Sequence, residues 1–289
     1  MKHTHLGTYP RSRAEEPRAS TASSTAQWVA IARSLGAVLP EELALVLDPY
    51  GVRLAHGGAR VLAELLLRRP WLSRQLLTRA GPLTGFLLWM QLRTRALDDL
   101  LLDFVRQGGR QVVLLGAGLD CRALRFGAEL ASATVFEVDH PSTQAGKVKQ
   151  LPAEVFFGSR AEEPRASTRT RVVYVGWDFE HDAMDQLPVR LHEQGLDPQQ
   201  PVLTIWEGVT MYLLPESIER TVRAVRAFGA AQSLLALTYI DRRAIGSPRG
   251  EVRLTAELVA RVGEPWRFGW SRKICPSGFR RAGSRWSPT

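Results

Sequence analysis

Four apolar residues in a row, Val112-Val113-Leu114-Leu115, run straight into Gly116-Ala117-Gly118. A short continuous apolar run fits a strand covered on both faces, the situation in a parallel sheet. Parallel strands in turn require long crossovers, usually helices. The residues that follow the turn, Arg122-Ala123-Leu124-Arg125, are able to start one. A strand, a glycine turn and a helix amino-terminus together make a site for the polar part of a nucleotide-like ligand. Glycine lets the backbone come close, and first-turn N–H groups face the ligand.

A Gly-x-Gly turn is weak evidence until its neighbours are read. Ala133 to Asp139 reads as a second strand ending in an acid, and Asp139 lies 21 positions after Gly118. Nucleotide-binding βαβ units place a carboxylate for ribose hydroxyls at about that distance. An Asp opening the next helix ahead of Pro141 would look the same. The position of the third glycine in a dinucleotide turn is taken by Cys121, and Asp120 beside it is a poor cradle for a pyrophosphate. The turn suits a ligand with a zwitterionic or cationic end, such as the methionine part of S-adenosylmethionine.

The 289 residues suffice for one large α/β domain with a full core. The most apolar run, Leu83 to Leu92, stops at Arg93 and is too short to span a membrane. The first residues lack the apolar stretch of a secretory signal. Cys121 and Cys275 make no disulfide framework and no metal-ligand spacing, so a reducing cytoplasm and no metal are expected. The net charge of +9 invites a nucleic-acid reading, but residues 267–289 alone hold six basic residues and no acid. Residues 1–21 and 159–171 each add four basic residues against two acids, which leaves the rest of the chain balanced to within one charge. The excess sits on tails and an insert, so neither nucleic acid nor membrane is expected as a partner.

Residues 1–25 are polar and read as a disordered tail. Within them Ser12 to Thr21 recurs unchanged at Ser159 to Thr168, which reads as inserted material in a surface loop. Helices are expected over Gln27–Leu35 and Glu41–Leu47, with a turn at Asp48-Pro49-Tyr50, and Leu-rich helices follow from Ala59 to Gln107. A helix from His140 to Leu151, a strand at Arg171–Val175, a helix and loop over Asp185–Gln200 and a strand at Val202–Trp206 come next. A helix from Pro215 to Phe228, a strand at Ser233–Tyr239 and a helix from Thr255 to Val262 complete the reading. Glu207 leaves the Val202–Trp206 strand where ligands of open α/β sheets bind.

Three motifs in this order, QVVLLGAGLDCRALRF, FEVDHPSTQAGK and WEGVTMYL, resemble the S-adenosylmethionine-dependent methyltransferases of the leucine carboxyl methyltransferase family, in its bacterial small-molecule branch. The resemblance runs over about residues 26 to 270, broken at the insert. It implies an α/β fold with a Rossmann-like class I methyltransferase sheet and helices on both faces. Residues 26–107 would form a helical cover and 108–270 the cofactor-binding core. The family closes its sheet with two antiparallel strands, which the atypical basic ending 271–289 does not resemble.

The resemblance also implies roles. Arg93 would grip the cofactor carboxylate through two parallel hydrogen bonds, with Arg95 on another side of its helix as second choice. Gly116, Gly118 and Asp139 would hold the sugar and the amino-acid part. Asp178 would accept from the adenine amino group, Phe179 would cover its ring, and Glu207 would lie near the sulfonium. Thr210 and Tyr212 would face the substrate, with Tyr212 and Arg122 placing the methyl acceptor; no residue is marked as a base. The expected activity is O-methylation of a carboxylate or hydroxyl of a small molecule, in an oligomeric state left open. The alternatives are an impaired methyltransferase remnant and an NAD(P)-dependent oxidoreductase on a similar sheet.

Overall fold

Gln111–Leu115, strand β1, is buried at every position and lies at the centre of a five-stranded, all-parallel sheet. The computed structural model describes residues 24–79, 81–151, 170–246, 250–261 and 263–270. The other strands are β2 (Thr134–Asp139), β3 (Arg171–Gly176), β4 (Val202–Trp206) and β5 (Leu234–Leu237), in the order β3-β2-β1-β4-β5. Alternation along β1 sends Val113 and Leu115 into one apolar cluster and Val112 and Leu114 into another. The helices are α1 (Ser24–Ser34), α2 (Gly51–Leu54), α3 (Gly57–Arg68), α4 (Pro70–Arg79) and α5 (Gly81–Arg106), then α6 (Arg122–Arg125) and α7 (Pro141–Gln150). They continue with α8 (Leu187–Glu193), α9 (Pro215–Ala227), α10 (Arg243–Gly246) and α11 (Gly250–Arg261). Leu187 and Leu191 of α8 and Ile218 and Val225 of α9 cover the first face, and Leu97, Leu101 and Val105 of α5 the second. The sheet is therefore covered by helices on both faces, as its continuous apolar strands require.

Helices α1 to α5 also have a core of their own, with Ile31, Val52, Ala63, Leu77, Leu87 and Met90 packed together. Helix α5 serves both: its first half joins this cover and its second half the sheet. The expected helix over Glu41–Leu47 is only a 3-10 turn at Glu41–Leu43. The reason lies in Gln91 of α5, which is fully buried and accepts from Val46 N at 2.7 Å while donating to Ala32 O at 3.1 Å. The Val46 amide is thus satisfied from across the core instead of along a helix. Gln91→Leu strands that N–H, and urea unfolding should show a loss of about 1–3 kcal/mol.

The helix after the glycine turn is short. It makes a single turn, α6, before Gly127 and a series of turns lead to β2. No long helix dipole points at the turn, so whatever binds there is held by backbone N–H groups and side chains.

The Ser12–Thr21 and Ser159–Thr168 copies and the ending 271–289, where the closing strands were in question, lie outside the described residues. Trp270, the last described residue, bridges to Asp241 beyond β5 and packs edge-on against Tyr239 and Phe268. Among the described residues no helix is long and apolar enough to cross a membrane.

Candidate functional site

The strand register fixes what meets at the carboxyl edge of the sheet. Leu115 pairs with Val138 and Leu114 with Ile205, so one step further Gly116 comes level with Asp139 on one side, and at the same edge Glu207 emerges on the other. Asp139 in turn pairs with Gly176, two residues before Asp178. The order of strands reverses between β1 and β4, and a cleft of about 670 Å³ opens at that point. Gly116, Gly118, Asp139, Asp178, Phe179 and Glu207 all line it. Arg93 and Tyr212 line it as well.

The glycine turn is held by β2. Gly116 N and Ala117 N both donate to Val138 O, at 2.8 and 3.2 Å, and Gly118 N donates to Asp139 Oδ2 at 2.6 Å. Gly116 and Gly118 sit at φ +65° and +48°, a left-handed conformation that side chains disfavour. Asp139 takes a second bond from His140 N at 2.7 Å, while the cap of α7 is the His140 ring, which accepts from Ser142 N. Asp139 is therefore tied first to the turn. Burial pushes its carboxyl up from the ordinary range, against the opposing pull of the Gly118 and His140 N–H groups.

Behind the turn lies a charged cluster. Glu207 receives Arg93 Nε at 2.8 Å on one oxygen and Arg122 Nη1 at 2.7 Å on the other. Arg122 also pairs with Asp98 at 2.8 Å and with Asp120, and Arg125 pairs with Asp98. Burial disfavours the Glu207 charge, but Arg122, Arg93 and Arg33 outweigh it and hold the carboxyl far below the usual range. The same balance lifts Arg122 well above its ordinary value, with Asp120, Glu207 and Asp98 overcoming its burial.

These contacts revise two of the expected roles. Arg122 is 2% exposed and absent from the cleft wall, so it does not place an acceptor; it bridges the three acids around it, which Arg93 and Arg125 help to balance. Thr210 is fully buried and bonds Thr238 O at 2.8 Å, so it fixes the loop after β4 and does not face the cleft. Arg93 and Glu207, expected as separate contacts, form one ion pair across the cleft floor. Arg95 is exposed and pairs with Asp99 along its own helix.

Asp178 accepts from Glu180 N at 2.9 Å and from His181 N at 3.2 Å, and pairs with the His181 ring at 2.9 Å. It shapes its own turn while lining the cleft. Cys121 is buried, with its thiol pushed up to about 12 chiefly by burial, and is inert.

The sequence reading missed two buried pairs. Arg33 of α1 binds Asp48 at 2.9 Å and donates to Leu119 O at 2.6 Å, which ties the cover to the glycine turn. Lys147 meets Glu137 at 2.5 Å beneath the sheet edge. The signal for the second was present: an acid at an inward position of an otherwise apolar strand needs a partner.

Residues 26–226 match the family model for leucine carboxyl methyltransferase. A Mycolicibacterium smegmatis protein named "Putative S-adenosyl-L-methionine-dependent methyltransferase" is 33% identical over 222 residues, which is 76% of this chain and 66% of that relative's own length. A second protein of that name from the same organism is 29% identical over 268 residues, 89% of this chain and 75% of its own. A crystal structure of a DUF574 family protein from Streptomyces avermitilis covers 84% of this chain and 79% of its own, with a TM-score of 0.48 and 16% identity.

Proposed function

The chain belongs to the leucine carboxyl methyltransferase family, and from that premise we propose that it transfers a methyl group from S-adenosyl-L-methionine to an oxygen of a small molecule. The observation that carries this reading is the convergence of a left-handed glycine turn and three acids, Asp139, Asp178 and Glu207, on one cleft. The cofactor suits that wall. Gly116 and Gly118 leave the backbone bare where an amino-acid group would lie, and Asp139 ends β2 where ribose hydroxyls would seek an acceptor. Phe179 offers an apolar face for a base, with Asp178 beside it as an acceptor. The acids also favour a cationic group.

When bound, the cofactor supplies a methyl group on a positively charged sulfur. The chain's part is alignment, since in-line displacement gains most from holding the reacting atoms in place. The guanidinium of Arg93, anchored by Glu207 and lying over Trp89 at 5.6 Å, is oriented toward the cleft floor and would meet the cofactor carboxylate with its remaining N–H groups. In this reading residues 26–107 form the cover and 108–270 the core. The oxidoreductase alternative is disfavoured by the single-turn α6, which offers no helix for a pyrophosphate.

Asp139→Ala should weaken binding of S-adenosylhomocysteine by about 1–3 kcal/mol in a calorimetric titration, the cost of losing a hydrogen bond to a charged group. Asp139→Asn, which keeps an acceptor for Gly118 N, should lose less. Unchanged affinity in the alanine variant would remove Asp139 from the site, and tight binding of NAD instead would reverse the assignment.

A further inference from the structure

We propose that the paired helices α3 and α4 form a docking face for an anionic lipid surface, which holds the protein on a membrane without crossing it. Both helices are apolar on more than the side that meets the core. On α3, Ala63 is buried and Ala59, Leu66 and Leu67 pack on the core of the cover, while Val61, Leu62 and Leu65 stay exposed. At about 100° per residue those three fall within one arc of the helix and form a single stripe. On α4, Leu77 is buried in the same core and Trp71, Leu72 and Leu76 stay exposed. Trp71 is 66% exposed, and the other five lie between 36% and 58%. A groove of about 330 Å³, lined by Leu65 and Leu66 of α3 and Leu72 of α4, joins the two stripes. Apolar side chains scattered singly over a surface need no partner; a face continuous over two helices marks a contact site.

Charge selects the occupant. Residues 57–79 hold Arg60, Arg68, Arg69, Arg74 and Arg79 against one acid, Glu64, a net charge of +4. Glu64 is taken by Arg60 at 2.8 Å, and Arg68, Arg69 and Arg79 have no ion-pair partner among the described residues. Arg68 and Arg69 line the groove itself. The expectation of no membrane partner came from charge summed over the chain, and that sum hides this local excess. A second copy docked about a two-fold axis would set +4 against +4, and the six basic residues of 267–289 would be repelled as well. Anionic headgroups suit the arginines, while Trp71 and the leucines enter the boundary between headgroups and acyl chains. The aliphatic stems of the arginines lie along such a boundary with their guanidinium groups at headgroup level. A protein partner asks for directional hydrogen bonds across the contact. The six apolar side chains offer only the Trp71 N–H, and a lipid surface asks for no more.

The test is co-sedimentation of the full chain with vesicles of phosphatidylcholine carrying about one third phosphatidylglycerol, and with phosphatidylcholine alone. The chain should pellet with the first and bind the second at least about tenfold more weakly. The basic ending also attracts anionic vesicles, so variants of the face separate the two contributions. Leu65→Ser with Trp71→Ser leaves every charge in place and should lower partition into the anionic vesicles at least about tenfold. Circular dichroism should show the fold unchanged, since both side chains are exposed. Arg68→Gln with Arg79→Gln keeps the apolar stripes and should lower partition about fivefold or more. Native chain that ignores the anionic vesicles overturns the proposal, as does a folded Leu65→Ser, Trp71→Ser variant that binds them equally well. A dimer in sedimentation velocity that this variant dissociates would give the face to a second copy and overturn it too. Stronger binding of polyglutamate than of the anionic vesicles would give it to an acidic protein, with the same consequence.

Discussion

Arg122→Ala should cost about 3–5 kcal/mol of stability, the range for stripping one partner from a buried ion pair. The side chain is almost wholly enclosed and is the shared partner of Asp98, Asp120 and Glu207. Its removal leaves Arg93 and Arg125 to balance three acids at a site where water cannot easily replace the lost charge. Urea unfolding followed by circular dichroism would show the loss as a lower midpoint with an unchanged slope. Arg122→Lys should recover only part of it, because an ammonium cannot reproduce the fork that spans three carboxylates. A loss below about 1 kcal/mol would mean that the cluster behaves as an exposed salt bridge and is reached by solvent.

Gly116→Ala is expected to be the most damaging single methyl group in the glycine turn. A Cβ placed there would meet Val209 Cγ2 at 2.5 Å, and the residue would still have to hold φ +65°. The left-handed conformation alone costs a side-chain-bearing residue about 1–2 kcal/mol, and overpacking adds about 1–3 kcal/mol more. Either the turn shifts or Val209 does, and in both cases the wall meant for the cofactor is remade. Affinity for S-adenosylhomocysteine should fall by tenfold or more, about 1.4 kcal/mol at the least. Val209→Ala in the same chain removes the clash but not the backbone strain, so the double variant should regain part of the affinity. If it regains none, the strain at φ +65° dominates; if the single variant binds normally, the turn is not the cofactor wall.

The sheet was readable because its strands announce themselves. Val112–Leu115 is an unbroken apolar run and Val202–Trp206 is apolar but for Thr204, and both are buried throughout. Their ends were readable too, since register carries Gly116, Asp139 and Glu207 to one edge once the strands are parallel. Local pattern misled where a distant side chain decided the outcome. Glu41–Leu47 has helical spacing, but Gln91 captures the Val46 amide from forty-five positions away. Arg122 was expected to place the methyl acceptor, yet Asp98, from another helix, draws it inward. Such three-body arrangements of charge leave no period in a sequence. Arg33 and Asp48 are separated by fifteen positions and nothing local couples them.

Helix α5 runs for 26 residues, about 39 Å at 1.5 Å per residue, and its two halves are packed into different cores. It is a single beam with one end in the roof and the other in the wall. Lifting the roof alone would tear Leu97, Leu101 and Val105 away from the sheet, so the roof is not a free flap. Traffic of small molecules then falls to the rim bordered by Trp266 and by Thr255 and Val259 of α11, which packs against α5. Selection of what comes in and the pace at which product leaves would be set on that side.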